Sequence, residues 1–150
     1  MSLFEKITGD LKAAMLARQK ERLESLRAIK TAFLLAKTET GSHDLTADQE
    51  LKIIQKLVKQ RRESADIYKV QNRMDLYQNE MDEAAIIEEY LPKQLTEAEL
   101  MPVLKDIIQR VGATSAKDMG KVMGVASKEL AGKADGRMIA EKVKALLGAT

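Results

Sequence analysis

Glu89-Tyr90-Leu91-Pro92-Lys93-Gln94-Leu95-Thr96-Glu97-Ala98-Glu99-Leu100 is the stretch that decides how this chain is organised. Apolar residues recur at helical spacing up to Leu91. There Pro92 disfavours a helical residue before it and cannot continue the hydrogen-bond ladder. Just downstream, Thr96 and Glu99 stand three apart ahead of a fresh apolar stripe, the signature of a capping box that opens a helix. One helical segment ends here and another begins. The reading predicts two domains, residues 1–94 and 95–150.

Working upstream, Leu3, Ile7, Leu11, Ala14 and Met15 form one helical stripe behind a capping box of Ser2 and Glu5. A polar run from Arg18 to Arg22 separates it from Leu23, Leu26, Ile29, Phe33 and Leu34, whose helix ends near Gly41. After a loop at Gly41-Ser42-His43-Asp44, Thr46 and Gln49 form another capping box. A long third helix follows, with Leu51, Ile54, Leu57, Val58, Ala65 and Tyr68 inward. It carries Lys56, Lys59, Arg61 and Arg62. A polar break at Gln71 to Arg73 precedes a fourth stripe of Tyr77, Met81, Ala84, Ile87 and Leu91.

Downstream, Leu100, Leu104, Ile107, Ile108 and Val111 make a fifth amphipathic helix with Gly112 as its C-cap and Pro102 late in its first turn. Ser115 is a candidate N-cap for a sixth helix with Met119, Val122, Met123, Ala126 and Leu130 inward. Asp135 is one for a seventh with Met138, Ile139, Val143, Leu146 and Leu147. No strand alternation competes. The predicted fold class is all-α: an N-terminal helical domain of about four helices followed by a three-helix tail domain.

Composition agrees and narrows the chemistry. The chain has 150 residues, 45% hydrophobic and 32% charged, with no Trp and a preponderance of good helix formers. Cysteine is absent and His43 is the only histidine. That combination leaves no Cys-based zinc site and no nucleophilic triad, and His43 reads as a solvated loop residue. The N-terminus lacks the basic-then-apolar pattern of a signal peptide, and no apolar run approaches the ~20 residues that cross a bilayer. The expected location is the cytoplasm, with no membrane partner.

Charge is unevenly distributed. Residues 1–73 carry 15 Lys and Arg against 10 Asp and Glu, residues 74–106 carry 2 against 9, and residues 107–150 carry 8 against 4. Two basic ends flank an acidic middle, read either as ordinary solvated helix faces or as a basic surface for a polyanion. The acidic cluster Glu80, Asp82, Glu83, Glu88 and Glu89 lies mostly off the apolar stripe and reads as a solvated face.

The one unusual motif is in the tail, where Lys117-Asp118-Met119-Gly120-Lys121-Val122-Met123-Gly124 is followed by Gly132-Lys133-Ala134-Asp135-Gly136-Arg137. Each glycine inside a helix costs about 1 kcal/mol relative to alanine. Gly120 and Gly124 share one helix face beside Lys117, Lys121 and Lys128, so the bare strip admits either a neighbouring helix or a phosphodiester backbone. The spacing is not that of a nucleotide-binding loop, and no strand precedes it. Gly132 reads as a turn residue and Asp135 as a structural cap. Lys133, Gly136 and Arg137 then sit at a helix N-terminus, where backbone N–H groups and the dipole favour a phosphate; a plain capped turn is the alternative.

At these residues the sequence resembles the YqeY family, whose C-terminal part is similar to the tail domain on the B subunit of glutamyl/aspartyl-tRNA amidotransferase. The matching stretches are Glu89 to Leu95, Lys117 to Met123 and Gly132 to Arg137, with Lys20-Glu21-Arg22-Leu23 and Val58-Lys59-Gln60-Arg61 in the N-terminal half. Gly124 stands where that family usually carries a larger residue. The resemblance implies contact with tRNA without the kinase and transamidation domains. A label of carbon-nitrogen ligase activity with glutamine as amido-N-donor would reflect homology alone.

The expected function is a non-catalytic tRNA-binding accessory protein. It would engage tRNA or another structured RNA, and possible protein partners in translation, with no cofactor and no metal. Lys117, Lys121, Lys133 and Arg137 would contact phosphates, and Gly120, Gly132 and Gly136 would permit approach. The alternative is a protein-interaction module docking on a multisubunit enzyme.

Overall fold

The computed structural model describes residues 2–41 and 43–148. Among these residues the regular structure is seven α-helices and a short 3-10 turn, with no strand, so the chain is all-α. Helix α1 spans Leu3–Leu16, α2 Lys20–Glu39, α3 Ala47–Val70, α4 Met74–Glu88, α5 Glu97–Val111, α6 Met119–Glu129 and α7 Gly136–Gly148; the 3-10 turn Ala116–Asp118 runs into α6. The three capping boxes expected at Ser2, Thr46 and Thr96 are all formed, each hydroxyl accepting the backbone N–H three residues on while Glu5, Gln49 or Glu99 returns the bond. Of the loop expected at Gly41 to Asp44, Ser42 lies outside the described residues.

The chain packs as two compact units, Met1–Leu91 and Pro92–Thr150. In the first, α3 lies along α4, α1 packs on α2, and α2 meets both α3 and α4. Their inward stripes meet in one core built on Ile7, Leu26, Ile29, Phe33, Ile54 and Ile87, all 0% exposed. Rings of this size dominate core energetics, and Phe33 meets Phe4 with centroids 6.4 Å apart. Glu50, 4% exposed, accepts the Phe4 N–H at 2.8 Å through its Oε2, so a carboxylate from α3 satisfies a free amide in the first turn of α1.

In the second unit α5, α6 and α7 pack on one another around Leu100, Leu104, Ile107, Val122, Ala126 and Val143. The segment before α5 is tied to the same unit: Gln94 Nε2 donates to the Gly132 carbonyl at 2.6 Å, and the Leu95 N–H to the Lys133 carbonyl at 2.9 Å. The first of these bonds draws Gln94, which the sequence reading left upstream, into the second unit.

Four expectations change in detail. Helix α4 ends at Glu88, not Leu91, and Glu89 to Leu91 continue as turns, because a residue before proline is held out of the helical region. Ser115 makes no capping bond; it precedes the 3-10 turn, and Asp118 instead accepts the Thr114 N–H at 2.9 Å. Pro102 sits deeper in α5 than its first turn, on the exposed side, where water can serve the carbonyl left without a donor. Met15 and Leu34, expected inward, are 54% and 46% exposed, because the buried arcs of α1 and α2 are narrower than the apolar stripes.

Candidate functional site

Charge pairing within the first unit joins part of the basic first stretch to the acidic middle of the sequence. Arg61 of α3 pairs with Glu83 of α4 at 3.1 Å and lies 4.0 Å from Glu80, Arg62 pairs with Glu88, and Arg22 of α2 reaches Glu89 at 2.7 Å. The acidic cluster is thus not simply a solvated face. The side chains of Glu80, Glu83 and Glu88 are only 21%, 27% and 29% exposed, and they neutralise arginines that the sequence had placed on a basic face. Asp82 accepts from Gln78 at 2.7 Å. Burial pushes the Glu83 carboxyl above its usual range; Arg61 opposes that, and Glu80, Glu24 and Glu21 add to it.

An open cleft of about 250 Å³ lies beside these carboxylates, lined by Lys20, Glu21, Glu24, Asn79, Asp82 and Glu83. The residues lining it are all polar or charged, whereas sites for small organic molecules are mostly apolar with a few placed polar groups. His43 is exposed. Among the described residues no group of three or more His, Cys, Asp or Glu side chains is placed to hold a metal ion.

The second unit presents a different surface. Lys117, Gly120, Lys121, Gly124 and Lys128 are all exposed, along with Lys133, Asp135, Gly136 and Arg137. An added Cβ at Gly120, Gly124 or Gly136 would meet nothing within 4 Å. No helix of the second unit packs on the strip at Gly120 and Gly124, because α6 buries the opposite arc through Val122 and Ala126 and leaves both glycines on its open side. Two glycines stand where a Cβ would meet nothing and alanine would favour the helix.

The lysines beside them stand apart from the unit's ion pairs. Lys117, Lys121, Lys128 and Lys133 form no ion pair among the described residues, while Arg110 donates two bonds of 2.7 Å to Glu129 and one of 2.8 Å to Asp106. Two carboxylates are electrostatic neighbours of this set. Asp118 is held below the usual carboxylate range, first by the Thr114 N–H, with Lys121 contributing, and Glu129 likewise, first by Arg110, with Lys133 contributing. Arg137 is 78% exposed, with Glu141 4.0 Å away.

Gly132 is the turn residue expected but does not serve the approach expected of it. It is buried, takes a left-handed φ of +74° that glycine adopts without strain, and offers its carbonyl to Gln94. It shapes the turn into α7 and presents no surface for approach. At the start of α7, Asp135 Oδ1 accepts the Arg137 N–H at 3.2 Å, so a carboxylate of the chain already occupies part of the anion seat. A phosphate arriving there would meet a like charge, which shifts the weight of any anion contact to the side chains of Lys133 and Arg137. The sequence reading missed Gln94 as the residue that fixes this turn. Its signal was only a polar side chain between Pro92 and a capping box.

Fold and surface together define a class: a small all-helical protein of two compact units, the second carrying a glycine-bared, lysine-flanked helix face. The chain belongs to the YqeY family, described as Yqey-like protein, whose profile matches residues 4–147. No curated protein matches the sequence.

Proposed function

We propose that the protein is a non-catalytic RNA-binding accessory factor whose second unit contacts folded RNA, tRNA being the leading candidate. One observation carries this reading: Gly120 and Gly124 lie on the open side of α6, where an added Cβ would meet nothing within 4 Å, beside exposed lysines that form no ion pair among the described residues. Glycine in a helix costs stability, and close approach of a backbone is a use that repays it. Lys117, Lys121, Lys133 and Arg137 supply the phosphate contacts, and the low aromatic content, 3%, argues for recognition of shape over stacking of bases. The resemblance of this unit to the tail of the tRNA-dependent amidotransferase B subunit belongs to the same proposal.

The test is a titration of labelled tRNA at low and physiological salt. Affinity should fall steeply with salt, and a Lys121→Ala/Lys133→Ala variant should bind several-fold more weakly with a shallower salt slope. Unchanged binding in that variant overturns the site, and no binding at any salt overturns the function.

A protein-docking role is the second reading, favoured by apolar side chains left open in the first unit: Leu16 is 79%, Ile67 57% and Val70 87% exposed. Recovery of a protein partner after nuclease treatment, through the first unit alone, would support it.

A further inference from the structure

The second unit contains no Phe, Tyr, Trp or His. Single-stranded nucleic acid is held chiefly by stacking its bases on such rings or on arginine planes. Of the two arginines in this unit, Arg110 has its planar fork committed to Glu129 and Asp106. Unpaired bases would find almost nothing flat to lie on. The unit's recognition chemistry is therefore that of exposed cations meeting a phosphate backbone.

Those cations form a row. Lys121 and Lys128 stand seven residues apart within α6, a spacing that returns to one face of a helix, and Lys117 lies in the 3-10 turn that runs into it. Lys121 and Lys128 are separated by about 10 Å along the axis of α6. Gly120 and Gly124 run beside the row, so no side-chain ridge rises between the lysines and whatever lies along them.

A row whose backbone is held by a rigid helix binds best to phosphates that are themselves held in place, since the lysine stems are then the main groups that lose freedom on binding. A double-helical backbone offers that; a flexible single strand has to be ordered first and, lacking stacking, recovers little in return. We infer that the α6 face takes the phosphate backbone of double-helical RNA in preference to single strands, without reading sequence, and that Lys128 is a phosphate-contacting residue of that face together with Lys117 and Lys121. This rests on the RNA-binding reading above and names the RNA form and a further contact residue.

Competition in the full-length chain decides it. Labelled tRNA is displaced by an unlabelled RNA duplex of about 16 base pairs, or by either of its strands alone. The variants are Lys128→Ala and, as a charge-matched control on another helix, the exposed Lys105→Ala. The expected result is stronger competition by the duplex than by either strand, and about threefold or greater loss of affinity in Lys128→Ala with a salt slope smaller by about 0.9, against little change in Lys105→Ala. Equal or better competition by single strands, or equal effects of the two substitutions, overturns the inference and leaves RNA binding standing. No binding of tRNA or duplex to the wild-type chain overturns the function itself and the inference with it.

Discussion

Tyr90 shows how much one side chain can settle at the end of a unit. It is 6% exposed, its hydroxyl donates to Asp10 Oδ2 at 2.6 Å, and the Lys6 ammonium lies 5.5 Å from its ring centroid. A buried ring that ends on a charged acceptor combines apolar burial with a hydrogen bond of about 1.5–3 kcal/mol. Tyr90→Phe keeps the ring and loses the bond, leaving Asp10 short of a donor, so the first unit should lose about 1–3 kcal/mol in urea denaturation. Burial, and then the Asp10 carboxylate, push the hydroxyl's pKa well above the usual tyrosine value. A group whose folded pKa is raised gives stability that is fully present below its unfolded pKa, near 10, and is lost as pH rises through the folded one. Melting temperature should therefore fall between pH 9 and 11 more in the wild type than in Tyr90→Phe. An identical decline in both would show that the Asp10 bond contributes nothing. The sequence did not single this residue out, because Tyr90 lies beyond the last helical turn, where periodicity no longer says which side chains face inward.

At the scale of the element, helix α6 and the end of α5 make opposite demands on glycine. Gly112 closes α5 with φ +70°, a left-handed conformation that costs other residues roughly 1–2 kcal/mol. Gly120 and Gly124 have no such φ and nothing within 4 Å. Gly112→Ala should then lower the stability of the second unit by about 1 kcal/mol, whereas Gly120→Ala and Gly124→Ala should each raise it by about 0.5–1 kcal/mol, as read by thermal melts followed by circular dichroism. If the open face of α6 receives an RNA backbone, the Gly120→Ala/Gly124→Ala variant gains stability and loses RNA affinity together. A variant that gains stability at unchanged affinity would mean that the glycines serve no contact. Both kinds of glycine were visible in the sequence as glycines. Only the C-cap could be assigned there, since a helix end is written in local pattern while the emptiness around a helix face is not.

At the scale of the molecule, each unit has its own core: one cluster draws only on residues up to Leu91 and the other only on residues from Leu95 onward. A fragment of residues 92–150 contains all of the second cluster, including the Gln94 and Leu95 bonds to the turn before α7. It should fold by itself into a helical unit with a cooperative thermal transition. A fragment starting at residue 97 loses those bonds and should melt at lower temperature. A non-cooperative melt of the 92–150 fragment would show that the two cores do not correspond to independent folding units.

The sequence by itself determined the helices, most of their caps and most of the inward stripes, because helical periodicity and capping chemistry are local and survive without neighbours. It also determined that the second unit has no aromatic ring. Tertiary structure alone decided which charges remain available, since an ion pair between Arg61 and Glu83 or Arg22 and Glu89 joins residues distant in the chain. It likewise decided that Gly132 is buried while Gly120 and Gly124 face open space. Pairing and exposure are properties of what lies alongside a helix, and the chain's own local pattern does not encode its neighbours.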